Sequence, residues 1–299
     1  MDLLRVTPDE RAQILDVYKI GESQIKQDIE IIQTWKSKRP HLVAPLSDDF
    51  IEKLLIKNKF SVERCKEKIE NYYTLRGANL DLVADWEKIV PSKLALTCLP
   101  LPHVTKDCER IVIMQLINPD PKAYDAVKTL KLTLAISELM LRYDGSLGIR
   151  FLIDFKGFTL AHLATLNPMV MLRYNNMVEK GYSLRILGLE FVNCPSYVNK
   201  ISALFKMFLR PKIYQRIKLH ENLDSLHESI PKEYLPIEYE GTRGNISDLL
   251  GKWDSEMEKQ RDFLSQCLKI VSNEELRPPE MQENDMFGMG GTFKTLSVD

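Results

Sequence analysis

Residues 184–220 read LRILGLEFVNCPSYVNKISALFKMFLRPKIYQRIKLH, and the order of patterns in this stretch decides the fold. Residues 184–192 form a short, nearly continuous apolar run, residues 196–209 carry helical periodicity, and residues 216–220 form a second short run. In the middle segment Tyr197, Val198, Ile201, Leu204, Phe205, Phe208 and Leu209 fall on one helical face, with Asn199, Lys200, Ser202 and Lys206 on the other. A run, a helix and a run predict a βαβ crossover and parallel strands. Pro195 precedes the helix and Pro211 follows Leu209 closely, so breaks that can serve as hinges bracket it. On periodicity alone the same segment is equally an ordinary docked helix.

The alternation extends upstream. Apolar runs at residues 110–117 and 149–155 are separated from the quoted stretch and from each other by helical patterns at 123–143 and 160–180. The prediction is an α/β domain with a mainly parallel sheet buried on both faces, which suits Ile111-Val112-Ile113-Met114 and Phe151-Leu152-Ile153. Before it, Ile25, Ile29, Ile32 and Trp35 mark a helix over 22–38 that Pro40 stops. Ser47 starts a second helix towards Lys57, and Ser61 a third towards Arg76. These make a small all-helical unit ending near Pro91. Downstream, a helix over 246–271 turns Leu249, Leu250, Trp253, Met257 and Leu264 towards the body. Beyond it, Pro278-Pro279 and Gly288, Gly290 and Gly291 predict a mobile tail. The expected division is a helical unit over 1–92, an α/β domain over 93–272 and a flexible tail over 273–299.

The chain has 299 residues and 44% hydrophobic content, enough for a sizeable core without staples. With 41 basic against 42 acidic side chains it lacks the positive excess that drives phosphate-backbone binding, so nucleic acid is not expected as a partner. Cys65, Cys98, Cys108, Cys194 and Cys267 are odd in number and form no C-x-x-C pair, which points to reduced thiols. Asp9, Glu10 and Asp16 interrupt the amino-terminal region, and Lys128, Lys131 and Glu138 interrupt the greasy stretch 123–141. Neither a secretory leader nor a membrane span is expected, and the chain reads as a soluble cytoplasmic protein that touches membranes peripherally.

Catalytic templates fail one after another. No G-x-S-x-G elbow, G-x-x-x-x-G-K-[ST] phosphate loop or H-E-x-x-H zinc helix occurs. His41, His103, His162, His220 and His227 are scattered, and no sequence pattern pairs Asp107, Asp120, Asp144 or Asp154 with a base or ligand. A non-catalytic protein without cofactor or metal is expected.

A family resemblance joins these readings. Asp154-Phe155-Lys156-Gly157-Phe158, Asn167-Pro168, Gly188-Leu189-Glu190-Phe191-Val192-Asn193 with Pro195, Phe208-Leu209 with Lys212-Ile213, and Leu235-Pro236-Ile237-Glu238-Tyr239 with Gly241 come in the order of the CRAL-TRIO lipid-binding domain. The upstream unit resembles that family's amino-terminal domain, notably at Lys59-Phe60-Ser61-Val62-Glu63, so the likeness covers about residues 23–271. It is nearest the α-tocopherol transfer and retinaldehyde-binding branch, and Gly291-Thr292-Phe293-Lys294 with Leu296 resembles insect members.

The resemblance implies an α/β fold with an all-helical amino-terminal unit, a sheet floor, helical walls and a mobile gate helix over one apolar ligand. The implied lining is Leu130, Thr133 and Ser137 on the wall helix, Phe151 and Ile153 on the central strand, then Tyr174, Met177, Val178, Tyr182, Leu189 and Phe191. For each of these, plain core packing is the competing reading. The Thr133 and Ser137 hydroxyls either orient a ligand head group or bond back to the preceding turn. Val198, Ile201, Leu204, Phe205, Phe208 and Leu209 are the implied gate. Arg185, Lys212 and Arg216 match a basic cluster that binds phosphoinositide head groups in the branch. The family's amino-terminal arginine pair departs to Ile56 and Asn58, leaving Lys57 or Lys59 as substitutes. The implied partners are a hydrophobic small molecule (a tocopherol, retinoid or carotenoid) and membrane surfaces. A phospholipid-exchange or lipid-sensing module is the alternative.

Overall fold

Short polar side chains set the helix starts. Ser47, Ser61, Asp125, Asn167 and Asn245 each accept a hydrogen bond from a backbone N–H two or three residues on, satisfying donors that a helix start leaves open. The structure, a computed structural model, describes residues 1–279, and excludes the side chains of Asn199, Lys200, Ser202, Leu204 and Phe208. The helical unit comprises α1 (Pro8–Tyr18), α2 (Glu22–Ser37), α3 (Asp48–Lys57), α4 (Val62–Gly77) and α5 (Leu80–Val83). The α/β part follows with β1 (Leu96–Val104), β2 (Glu109–Leu116), α6 (Ala126–Tyr143), β3 (Gly148–Asp154), α7 (Leu160–Ala164) and α8 (Pro168–Asn176). It continues with β4 (Ile186–Val192), α9 (Val198–Phe208), α10 (Pro211–Tyr214), β5 (Ile217–Leu219), α11 (Leu223–Ser229), α12 (Ile246–Lys259) and α13 (Arg261–Gln266).

The sheet runs β1-β2-β3-β4-β5, with β2 to β5 parallel and β1 antiparallel to β2. The predicted mainly parallel sheet is therefore present, with an antiparallel edge strand that the sequence reading missed. Pro100 and Pro102 disguise β1, and an edge strand tolerates proline because one side of its backbone needs no donor. The first helix, α1, was also unanticipated; Thr7 and Glu10 close a capping box at its start.

Two predicted helices are broken. The 160–180 pattern divides into α7, α8 and a π-helical turn, Met177–Gly181, because Pro168 must begin a helix and forces Asn167 out of helical geometry. The 246–271 pattern stops at Lys259 and resumes at Arg261, with Gln260 at the break accepting from the Tyr143 hydroxyl at 3.0 Å.

One apolar core crosses from the helical unit into the sheet, joining Leu54, Ile69 and Tyr73 with Ile113, Leu139 and Trp253. Two buried charge clusters cross with it. Arg76 Nη1 of α4 lies 2.6 Å from Glu138 Oε2 of α6, and the Tyr72 hydroxyl donates to the same carboxylate at 2.8 Å. Asp144 receives Arg110 at 3.0 Å and Lys57 at 4.0 Å. Burial pushes the Asp144 carboxyl up, but Arg110, Lys57 and the Ser146 hydrogen bonds together outweigh it and hold the group below the usual carboxylate range.

The expected tail beginning at Asn273 needs correction. Ser272 bridges to Leu42, the Asn273 N–H donates to the His41 carbonyl at 2.8 Å, and Arg277 reaches Glu70 at 2.6 Å and Thr74 at 2.7 Å. Residues 272–277 thus strap onto α4 and the 41–42 segment, with Glu70 and Thr74 of α4 holding Arg277 and backbone groups holding Ser272 and Asn273. The remainder of the expected tail, with the Gly291-Thr292-Phe293-Lys294 motif, lies outside the described residues.

Candidate functional site

Strand register brings four of the expected lining residues together. Phe151 pairs with Leu189 and Ile153 with Phe191, and the period of two along a strand puts all four on one face of the sheet. On that face α9 lies: Ile201, Phe205 and Leu209 pack with Phe155, Leu189 and Phe191, and the Phe191 and Phe205 rings approach to 5.2 Å. Phe155 and Phe191 meet edge-on at 5.0 Å, and the Tyr197 hydroxyl donates to the Phe158 carbonyl beside the start of α9. Val198 is half-buried; the side chains of Leu204 and Phe208 lie outside the description.

The burial along β3 is uneven in an informative way. Leu152, on the opposite face, is fully buried, whereas Phe151 and Ile153 stay partly accessible although β3 is the central strand and α9 lies over their face. Close-packed interiors leave little accessible surface at such positions, so protein atoms do not fully cover the Phe151 and Ile153 side chains.

The wall helix contributes a second group. Leu130, Thr133 and Ser137 are buried on α6. Thr133 Oγ1 bonds to the Leu130 carbonyl at 2.8 Å and to the Tyr174 hydroxyl at 3.0 Å, while Ser137 donates to the Thr133 carbonyl at 2.6 Å. Both hydroxyls therefore bond back to their own helix, one of the two readings above, and Thr133 also orients a phenol from α8. Burial pushes the Tyr174 phenol up to about 12, so it stays protonated.

Met177 and Tyr182 go elsewhere. Both are fully buried in the main core, and the Tyr182 hydroxyl accepts from Arg76 at 3.0 Å. Val178 and Tyr174 pack at the edge of that same core, and Phe151 touches both groups.

Two of the three expected phosphoinositide ligands are engaged by protein. Arg185 donates to the Tyr18 hydroxyl and to the Leu147 carbonyl at 3.3 Å, and Arg216 donates to the Ile186 carbonyl. Lys212 is exposed on α10. Of the two substitutes for the lost arginines, Lys57 is excluded: it is buried, donates to the Asp144 carbonyl, and is held below its ordinary value by that burial. Ile56 and Asn58 are buried beside it, while Lys59 is exposed in the left-handed region at φ 56°.

Sequence reasoning missed Lys68, Glu179 and Arg210. Lys68 donates to the Glu179 carbonyl and Arg210 pairs with the Glu179 carboxylate. Burial, then the nearby Arg210 charge, lowers Lys68 to about 8. Nothing in the spacing of these residues, more than a hundred positions apart for Lys68 and Glu179, signals the meeting.

A separate cleft of about 620 Å³ lies between residues 85–94 and the start of α6, lined by Lys88, Lys93, Lys128 and Lys131 with Asp85 and Asp125. Among the described residues no cluster of His, Cys, Asp or Glu is arranged to hold a metal, and no helix is long and apolar enough to cross a membrane.

A mainly parallel five-stranded sheet with α9 packed on one face and the α-helical core on the other defines a class of α/β domain. Within that class this chain carries a CRAL/TRIO domain: residues 95–241 match the CRAL/TRIO domain model, and residues 21–85 match the Pinta-like UBA domain model. Human alpha-tocopherol transfer protein-like is 28% identical over 74% of this chain, an alignment covering 66% of that relative. The chain thus spans just under two thirds of that relative's length. Human clavesin-2 is 28% identical over 87% of this chain and 84% of its own. The solved structure of Sfh5 covers 82% of this chain and 92% of its own, at 12% identity and a TM-score of 0.47.

Proposed function

We propose that the protein binds one lipophilic molecule between the β3–β4 face and α9 and transfers it between membranes, with α9 as the gate. The observation that carries this reading is the partial accessibility of Phe151 and Ile153 on a central strand beneath a covering helix. Apolar surface left unpacked inside a fold favours an apolar ligand, each buried CH₂ of which contributes roughly 0.8 kcal/mol. The relative named for alpha-tocopherol transfer supports a tocopherol-like cargo, with a retinoid or carotenoid as the neighbouring chemistry. In this reading the 1–92 unit braces the wall helix, residues 93–272 hold the cargo without chemical change, and Arg185, Lys212 and Arg216 meet phosphoinositide head groups.

The test uses the purified full chain. Organic extraction should release a lipophile, and the chain should take up nitrobenzoxadiazole-labelled tocopherol and deliver it from one vesicle population to another. A chain that retains no lipophile and takes up neither labelled tocopherol nor retinoid overturns the proposal. Uptake without delivery would instead favour a lipid sensor.

A further inference from the structure

Glu179 occupies the π-helical turn Met177–Gly181, where the chain leaves α8 on its way to β4. Such turns are rare and concentrate at functional sites. From beneath, Lys68 of α4 donates to the Glu179 carbonyl, tying the turn to the helical unit. From the solvent side, Arg210 Nε pairs with the Glu179 carboxylate.

Arg210 lies between Leu209, which caps α9, and Pro211. Leu209 has already left helical geometry at φ −93° and ψ 143°, and Arg210 is extended at ψ 145°, as a residue before proline must be. The backbone at the exit of α9 is therefore constrained, and its guanidinium is directed at one fixed acidic group. Lys68 meets the Glu179 carbonyl and Arg210 its carboxylate, so Glu179 carries two cationic contacts.

We infer that Glu179 and Arg210 form a latch that holds the exit of α9 against the π-helical turn, and that α9 lifts only when this pair parts. The side chains are 25% and 58% exposed, so water and salt compete for both and the latch is weak by construction. A weak latch suits an element that must open repeatedly: it biases α9 towards closure without trapping it. What opening does for cargo rests on the gate reading above; the latch itself concerns only the mobility of α9.

Amide hydrogen exchange on the full chain separates the two. Arg210→Ala and Glu179→Gln should each speed exchange across residues 196–210 by roughly two- to fivefold, the range of an exposed ion pair. The double variant should be no faster than either single one, and residues 22–37 of α2 should be unchanged. Wild-type exchange in the 196–210 segment should also rise in high salt, while that of the double variant should not. Unchanged exchange in both single variants, additive effects in the double one, or equal acceleration in α2 overturns the latch. These readouts need no ligand. If they come out as expected but labelled tocopherol leaves the single variants no faster than wild type, the latch stands and the gate reading falls.

Discussion

Lys68 carries its charge against the pull of burial, and that makes stability depend on pH in a predictable direction. Its folded value of about 8 lies below its ordinary value of 10.5, because burial and then Arg210 disfavour the ammonium while Glu67 and Glu179 only partly offset them. Between those two values the unfolded chain binds more protons than the folded one, so this residue's contribution to stability rises with pH there; below about 8 the penalty is complete. Lys68→Met should therefore lose ground to wild type by about 1–2 kcal/mol on going from neutral pH to near pH 10, after allowance for partial exposure. Urea unfolding of both proteins at the two pH values checks it, and a constant difference contradicts the assignment. The same scale shows what spacing does not reveal. Lys57 looks like a surface lysine at the end of an amphipathic helix, yet Leu54, Leu55, Ile56, Lys57 and Asn58 are all buried. The end of α3 is enclosed by α4, α6 and the 144–147 loop, so no side of it faces water, and periodicity identifies only a first buried face.

Among the elements, α9 lays its apolar face on β3 and β4, where Phe151 and Ile153 stay partly accessible. Phe205 packs on Phe191 in the closed arrangement, and in the proposed open one its ring enters a membrane interface. Phe205→Asp should therefore slow labelled-tocopherol transfer between vesicles by about tenfold or more, the equivalent of losing one buried aromatic side chain. Far-ultraviolet circular dichroism should stay unchanged; an unaltered transfer rate counts against gating by α9. This helix was legible within two residues at its start and one at its end, because Pro195 and Pro211 punctuate an unmistakable stripe. Equally legible were β2, β3 and β4, whose apolar runs leave no competing period. Periodicity alone ran one helical stretch through Asn167-Pro168, whereas the family pattern implied a helix after that pair, where α8 begins. Register was illegible: only the paired strands set Phe151 opposite Leu189 and Ile153 opposite Phe191. Likewise, Thr133 and Ser137 were correctly placed on α6, but whether their hydroxyls face a ligand or their own backbone depends on coordinates, not on spacing.

At the scale of the whole molecule, a formal charge of −1 provides no general attraction to an anionic membrane, so any such attraction has to come from a local patch. Lys212 and Arg216 are candidates for it, each basic side chain near such a surface being worth about 1 kcal/mol. Lys212→Ala with Arg216→Ala should weaken binding to phosphoinositide-containing vesicles by about ten- to thirtyfold and flatten its salt dependence. Thermal unfolding serves as the control, since Arg216 also donates to the Ile186 carbonyl. An unaffected double variant would assign these residues to ordinary solvated surface.

The charge clusters that cross the core bear on how such a protein can be reshuffled in evolution. A segment cut at residues 95 and 241 keeps Asp144 with Arg110, but it keeps Glu138 while discarding Arg76. Stripping one partner from a buried ion pair typically costs about 3–5 kcal/mol, a large part of what holds a domain together. The segment matched by the CRAL/TRIO model is therefore shorter than the stretch that shares one buried core, and a transplant of the sheet has to carry α3 and α4 along with it.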